Sequence, residues 1–157
     1  MQATMTDETG LRHDRVRANT KPEINQQIDE KTLHHIKLYS TADKELIDQR
    51  IRQLDREWDM ERLLETNAAS VSLAGVILGT ISSRKWFLVP AVVAGFLLQH
   101  AIKGWCPPVP PLRRLGVRTR KEIERERYAL KLLRGDFEDL RSGETRDFRR
   151  LLESVDA

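Results

Sequence analysis

Cys106 is the one side chain here whose type and setting suggest covalent chemistry. It is the only cysteine of the chain, so no intramolecular disulfide can form. Lys103, Arg113 and Arg114 flank it, and nearby cations favour the thiolate, the form that attacks electrophiles or carries sulfur. Cys106 is therefore a candidate reactive thiol. The constellation around it is incomplete. His100 stands six residues earlier, nearly two helical turns away. A catalytic thiol needs a base and a cradle of N–H donors, but Pro107 and Pro108 follow it and supply none. His34 and His35 are adjacent; neighbours do not share a helix face, which makes them a poor metal pair and more readily surface residues. No P-loop, dinucleotide fingerprint, HExxH or paired-cysteine signature occurs. The expectation is a protein that is not an enzyme, with no catalytic residue, metal or cofactor assigned.

The elements around Cys106 explain more than the thiol does. Residues 68–102 hold two charges, Arg84 and Lys85, and 22 of these 35 residues are apolar. The other 122 residues hold 49 of the 51 charges. A well-mixed soluble domain does not divide this way, and one short island excludes a many-pass transporter. The net charge of +3 is too small to imply nucleic acid. The first 30 residues lack an apolar core segment, so no signal peptide is read there.

Four regions follow. Residues 1–40 are polar and read as a disordered tail, broken by Pro22. Residues 41–65 read as one amphipathic helix. Ser40 or Thr41 caps it, Asp43 lies in its first turn, and Ile47, Ile51, Leu54 and Trp58 form its apolar stripe. Pairs are expected between Asp48 and Arg52 and between Arg56 and Asp59. Residues 66–115 read as a transmembrane helical hairpin with a Pro-rich exit. Its arms, 66–83 and 86–102, are free of Lys, Arg, Asp and Glu, and each approaches the roughly 17–25 residues that cross a bilayer. Trp86 and Trp105 are 19 residues apart, about 28 Å along a helix. That suits aromatic anchors at two interfaces, with Lys103 snorkelling and Gly104 as C-cap. Residues 116–157 read as cytoplasmic helices. Thr119 and Glu122 form a capping box, Ile123, Leu130 and Leu133 an apolar face, and a last helix covers about 145–154.

Small residues mark the packing faces. Ser72, Gly75 and Gly79 form a stripe on the first arm, and Ala91, Gly95 and Gln99 a matching one on the second; close backbone approach drives helix association in lipid. Lys and Arg number four in 47–67 and six in 103–122, which puts both termini in the cytoplasm. Pro107, Pro108, Pro110 and Pro111 predict an extended exit along the membrane surface, where Arg113, Arg114 and Arg118 meet anionic headgroups.

The stretch from about Asn67 to Leu115 resembles the YgaP-like inner-membrane domain, a small bacterial family of unknown function. The resemblance rests on the Ala74-Gly75 step, the Gly95–Gln99 face and the Gly104-Trp105-Cys106-Pro107 string, and covers about 50 of 157 residues. It implies a bacterial inner-membrane hairpin that dimerises. Some relatives carry a fused rhodanese domain. This chain has no second cysteine and no α/β stretch of that length, so sulfurtransferase activity is not implied.

The expected fold is all-α: a two-helix transmembrane hairpin with flanking cytoplasmic amphipathic helices. The expected role is structural or interaction-based, a membrane module that binds the bilayer and a further copy or another membrane protein. The alternatives are a thiol or sulfur accessory using Cys106, a soluble helical adaptor, and a small-anion path lined by Gln99 and His100.

Overall fold

The computed structural model describes residues 14–137. All of its elements are helical: α1 (Arg15–Ala18), α2 (Pro22–Tyr39), α3 (Lys44–Asp55), α4 (Met60–Ile81), a 3-10 turn (Arg84–Phe87), α5 (Leu88–Lys103), α6 (Val109–Arg114) and α7 (Arg120–Arg134). The chain divides into two compact units. Of the described residues, one unit holds those up to Asp29 with Trp58–Glu122; the other holds Glu30–Glu57 with those from Ile123 onward. The expected helix at 145–154 and the first 13 residues lie outside the described region.

In the first unit α4 and α5 form the hairpin, and the 3-10 turn packs on α4. Its tip is closed. Gly75 and Gly79 are buried. A Cβ on Gly75 would come within 2.8 Å of the Pro90 ring, and one on Gly79 within 2.9 Å of the Phe87 ring. The facing surface on α5 is not the expected one. A Cβ on Gly95 would meet nothing within 4 Å, and Ala91 and Gly95 are both exposed. The seam is made by Phe87, Val89 and Pro90, because bulky side chains fill the notch that the α4 glycines leave. Ser72 and Gln99 are half-buried.

The base of the hairpin is held by chain that reads as tail and exit. Val16, Met60, Leu64, Cys106 and Val109 form a buried core, with Leu112 and Val117 against it. Asp14 caps α1, accepting from the Val16 and Arg17 N–H groups. Asn19 donates to the Lys103 carbonyl at 2.7 Å, and Arg15 donates to that of Ala101. The last-turn carbonyls of α5, which have no partner within their own helix, are thus served by α1. Gly104 ends α5 at φ +73°, and a Cβ there would also strike the Arg15 backbone. The proline run is not extended: Pro107 and Pro108 lie in a turn, and Pro110 and Pro111 stand in the first turn of α6, where a missing N–H costs nothing.

In the second unit Ile47, Ile51 and Leu54 of α3 are buried with Ile123 and Leu130 of α7. The stretch 41–65 is not one helix. Asp43, not Ser40 or Thr41, is the N-cap of α3 and accepts from Leu46 N–H, where its charge also meets the helix dipole. The chain breaks after Asp55, and Asp59 caps α4 by accepting from Arg62 N–H at 2.7 Å. The Asp59 carboxylate serves the cap in place of the expected pairing with Arg56. Trp58 leaves the stripe and lies exposed beneath the Arg62 guanidinium. Arg52 pairs with Asp48 as the spacing predicts. Leu133 is exposed, and Gly135 follows the end of α7 at φ +93°. Pro22 opens α2 instead of breaking the tail.

Gly79→Val is expected to destabilise the hairpin by about 1–3 kcal/mol, as overpacking does. Gly95→Ala should be neutral or slightly stabilising, because glycine costs a helix interior up to about 1 kcal/mol. Thermal melts of the detergent-solubilised chain would check both; equal losses would contradict the seam.

Candidate functional site

Two features meet at the base of the hairpin. The first is a cluster of charges around Glu122. The Arg113 guanidinium donates to both Glu122 oxygens, at 2.7 and 2.8 Å. It also donates to Val117 O, Thr20 Oγ1 and Asn25 Oδ1. Arg17 donates to Glu122 Oε1 at 2.7 Å and holds Asp29 with both terminal nitrogens. The Thr119 N–H donates to Glu122 Oε2 at 2.8 Å, closing the expected capping box. The Thr119 hydroxyl donates in turn to Asp14. The Arg113 and Glu122 side chains are only 1% and 2% exposed, so this is a fully desolvated pair. Burial alone would raise the Glu122 pKa. The Arg113 guanidinium, with the Thr119 N–H and Arg17, reverses that and holds the carboxyl below its ordinary value.

This corrects the expected headgroup contacts. Arg113 is enclosed by Glu122, and Arg118 is buried; of the three arginines only Arg114 is exposed. The first-unit cluster links residues as far apart as Thr119 and Asp14, 105 positions. Only its local half, Thr119 with Glu122, follows a sequence pattern. The second unit holds a comparable contact. Arg50 donates twice to the buried Glu126, at 2.9 and 2.8 Å, and His35 lies 3.3 Å from the same oxygen. His35 is therefore part of an ion cluster, whereas His34 is exposed.

The second feature is an apolar cavity of about 270 Å³. Leu64, Ala68 and Val71 of α4 form one wall, and Val93, Phe96 and Leu97 of α5 another. Cys106, Pro107 and Pro108 close the third side. Cys106 itself is 3% exposed, and burial pushes its thiol pKa up. That is the opposite of what a low-pKa nucleophile needs, so the flanking cations do not activate it: Arg113 is committed to Glu122, and Lys103 and Arg114 point to solvent-exposed positions. Trp86 and Trp105 are both exposed. His100 is half-buried, and its Nδ1 has no hydrogen-bond partner among the described residues. Among the described residues no three His, Cys, Asp or Glu side chains converge as metal ligands.

Two measurements follow. Arg113→Ala, which strands a buried carboxylate, should cost about 3–5 kcal/mol. Because the Glu122 pKa is lowered on folding, its contribution is complete above the ordinary carboxylate pKa of about 4.3 and is lost as pH falls through the lower folded value. Melts of wild type and Glu122→Gln from pH 7 to 3 should therefore converge at the acid end; parallel curves would contradict the pair's role. Cys106 should react with maleimide at least about tenfold more slowly than a peptide thiol until the chain is denatured. Fast labelling of the folded chain would restore the reactive reading.

No protein-family model matches the chain, and neither does any curated protein or solved structure.

Proposed function

We propose that this chain is an integral protein of the bacterial inner membrane, a helical-hairpin module of structural or interaction type with both termini in the cytoplasm. One observation carries the reading: the most apolar helix is the least buried. Two helices are long and apolar enough to cross a membrane, and none of the best apolar window of Arg84–Lys103 is buried. Leu88, Val92, Phe96, Leu98 and Ile102 of α5 are exposed, as are Val71, Leu73, Val76, Ile77 and Ile81 of α4. A monomer in water does not expose apolar surface on this scale, whereas lipid is its natural solvent. This favours the bilayer over a soluble adaptor, whose hairpin would bury these side chains. The exposed Trp86 and Trp105 suit the two interfaces. The excess of Lys and Arg beyond the two outer ends supports the orientation.

The open Ala91–Gly95 face offers a close-approach surface to a second copy or another membrane protein, which is where oligomerisation would act. The resemblance to the YgaP-like inner-membrane domain agrees with this reading. The thiol alternative loses its support from the burial of Cys106.

Carbonate washing of membranes from expressing bacteria should leave the chain in the pellet. Release into the supernatant would overturn the reading. In a Cys106→Ser background, Lys85→Cys should label with impermeant maleimide from the outside of spheroplasts; labelling only after lysis would reverse the orientation.

A further inference from the structure

The hairpin is closed at its tip and open at its base. At the tip the α4 glycines bring Phe87, Val89 and Pro90 against the backbone. At the base a cavity of about 270 Å³ lies between the arms, with Cys106, Pro107 and Pro108 across it. No charged side chain lines it. Its polar side chain, Asn67, donates its amide N–H to Leu63 O at 2.8 Å, within its own helix. Val71 and Phe96 are exposed although they line the cavity, so they mark a mouth that opens on the uncharged flank of the hairpin.

The contents of this space are constrained. Water would find almost no partners among these walls. A helix is 10–12 Å across with its side chains, far too thick for a space that holds about nine water-sized groups. A single flexible hydrocarbon chain fits both volume and chemistry. One cation is placed to match: Lys103, six residues beyond Leu97 at the end of α5, is exposed, while Arg84 and Lys85 stand at the far end. The geometry points to a phospholipid site: one acyl chain of a lipid in the leaflet nearest the termini fills the cleft, with its phosphate toward Lys103. This inference rests on the membrane reading above. It makes the lipid chain the packing element that the base of the hairpin lacks.

Native mass spectrometry of the full chain, extracted from bacterial membranes in mild detergent, tests it. One retained phospholipid per chain is expected. Ala68→Trp, which fills the cleft from α4, and Val93→Trp, which fills it from α5, should each lower retention by at least about tenfold. Val92→Trp, on the exposed face, should leave it unchanged. A chain that carries no lipid, or lipid lost equally in all three variants, would overturn the site. So would retention unaffected by either filling variant. Carbonate washing of the same membranes separates the two levels: a chain held in the pellet without a retained lipid refutes the site alone, and a chain released refutes the membrane reading with it. If one filling variant does not fold, as judged by circular dichroism, the other decides.

Discussion

Glu122 accepts from four donors in the space of one carboxylate: two from Arg113, one from Arg17 and one from the Thr119 backbone. A buried carboxylate is costly unless its lone pairs are met, so the arrangement tolerates few alternatives. Each donor belongs to a different piece of chain. Arg17 lies in α1, Arg113 in α6, and Thr119 directly precedes α7. Once Glu122 is satisfied, α1 lies where Arg15 and Asn19 reach the open carbonyls of α5. Val16 then joins Met60, Leu64, Cys106 and Val109 in the base core. The end of the hairpin is therefore defined by a polar contact, although its arms are apolar.

The arms follow a different logic. Where Gly75 and Gly79 remove side chains, the partner comes close; where Ala68 and Val71 face Val93 and Leu97, the helices leave a gap. In water such a gap would close by collapse, because burial of apolar surface is favourable there. In a hydrocarbon solvent that drive is absent, and packing alone decides the contact. A tight tip with an open base is thus a natural outcome of the lipid environment proposed for this chain.

Much of the secondary structure is legible in the sequence. The stripe Ile47, Ile51, Leu54 is buried as its spacing predicts, the Thr119–Glu122 box forms, and Gly104 ends α5 in the left-handed region. These signals are local, carried by residues within a turn or two of each other. The misread features depend on distant partners. Nothing near Arg113 marks it for Glu122 in preference to solvent, and Asn25, 88 residues away, completes its shell. Residues 14–25 look like polar tail because their stabilising contacts lie with residues beyond 100. The proline run suggests extension, but prolines grouped at the start of a helix serve it equally well. The small-residue pattern on α5 is present, yet pattern alone does not say which neighbour uses it.

The length of the arms has a further consequence. From Thr66 to Ile81 the uncharged part of α4 covers 16 residues, and α5 covers 16; both measure about 24 Å along the helix. The hydrocarbon slab is roughly 30 Å thick. On the membrane reading, a bilayer wrapped around this hairpin must thin locally, at a modest cost for every ångström of mismatch. Two hairpins that share one dimple deform less membrane than two apart. The bilayer then supplies an attraction between copies that needs no complementary surface, and it draws the protein toward the thinner regions of any membrane that holds it.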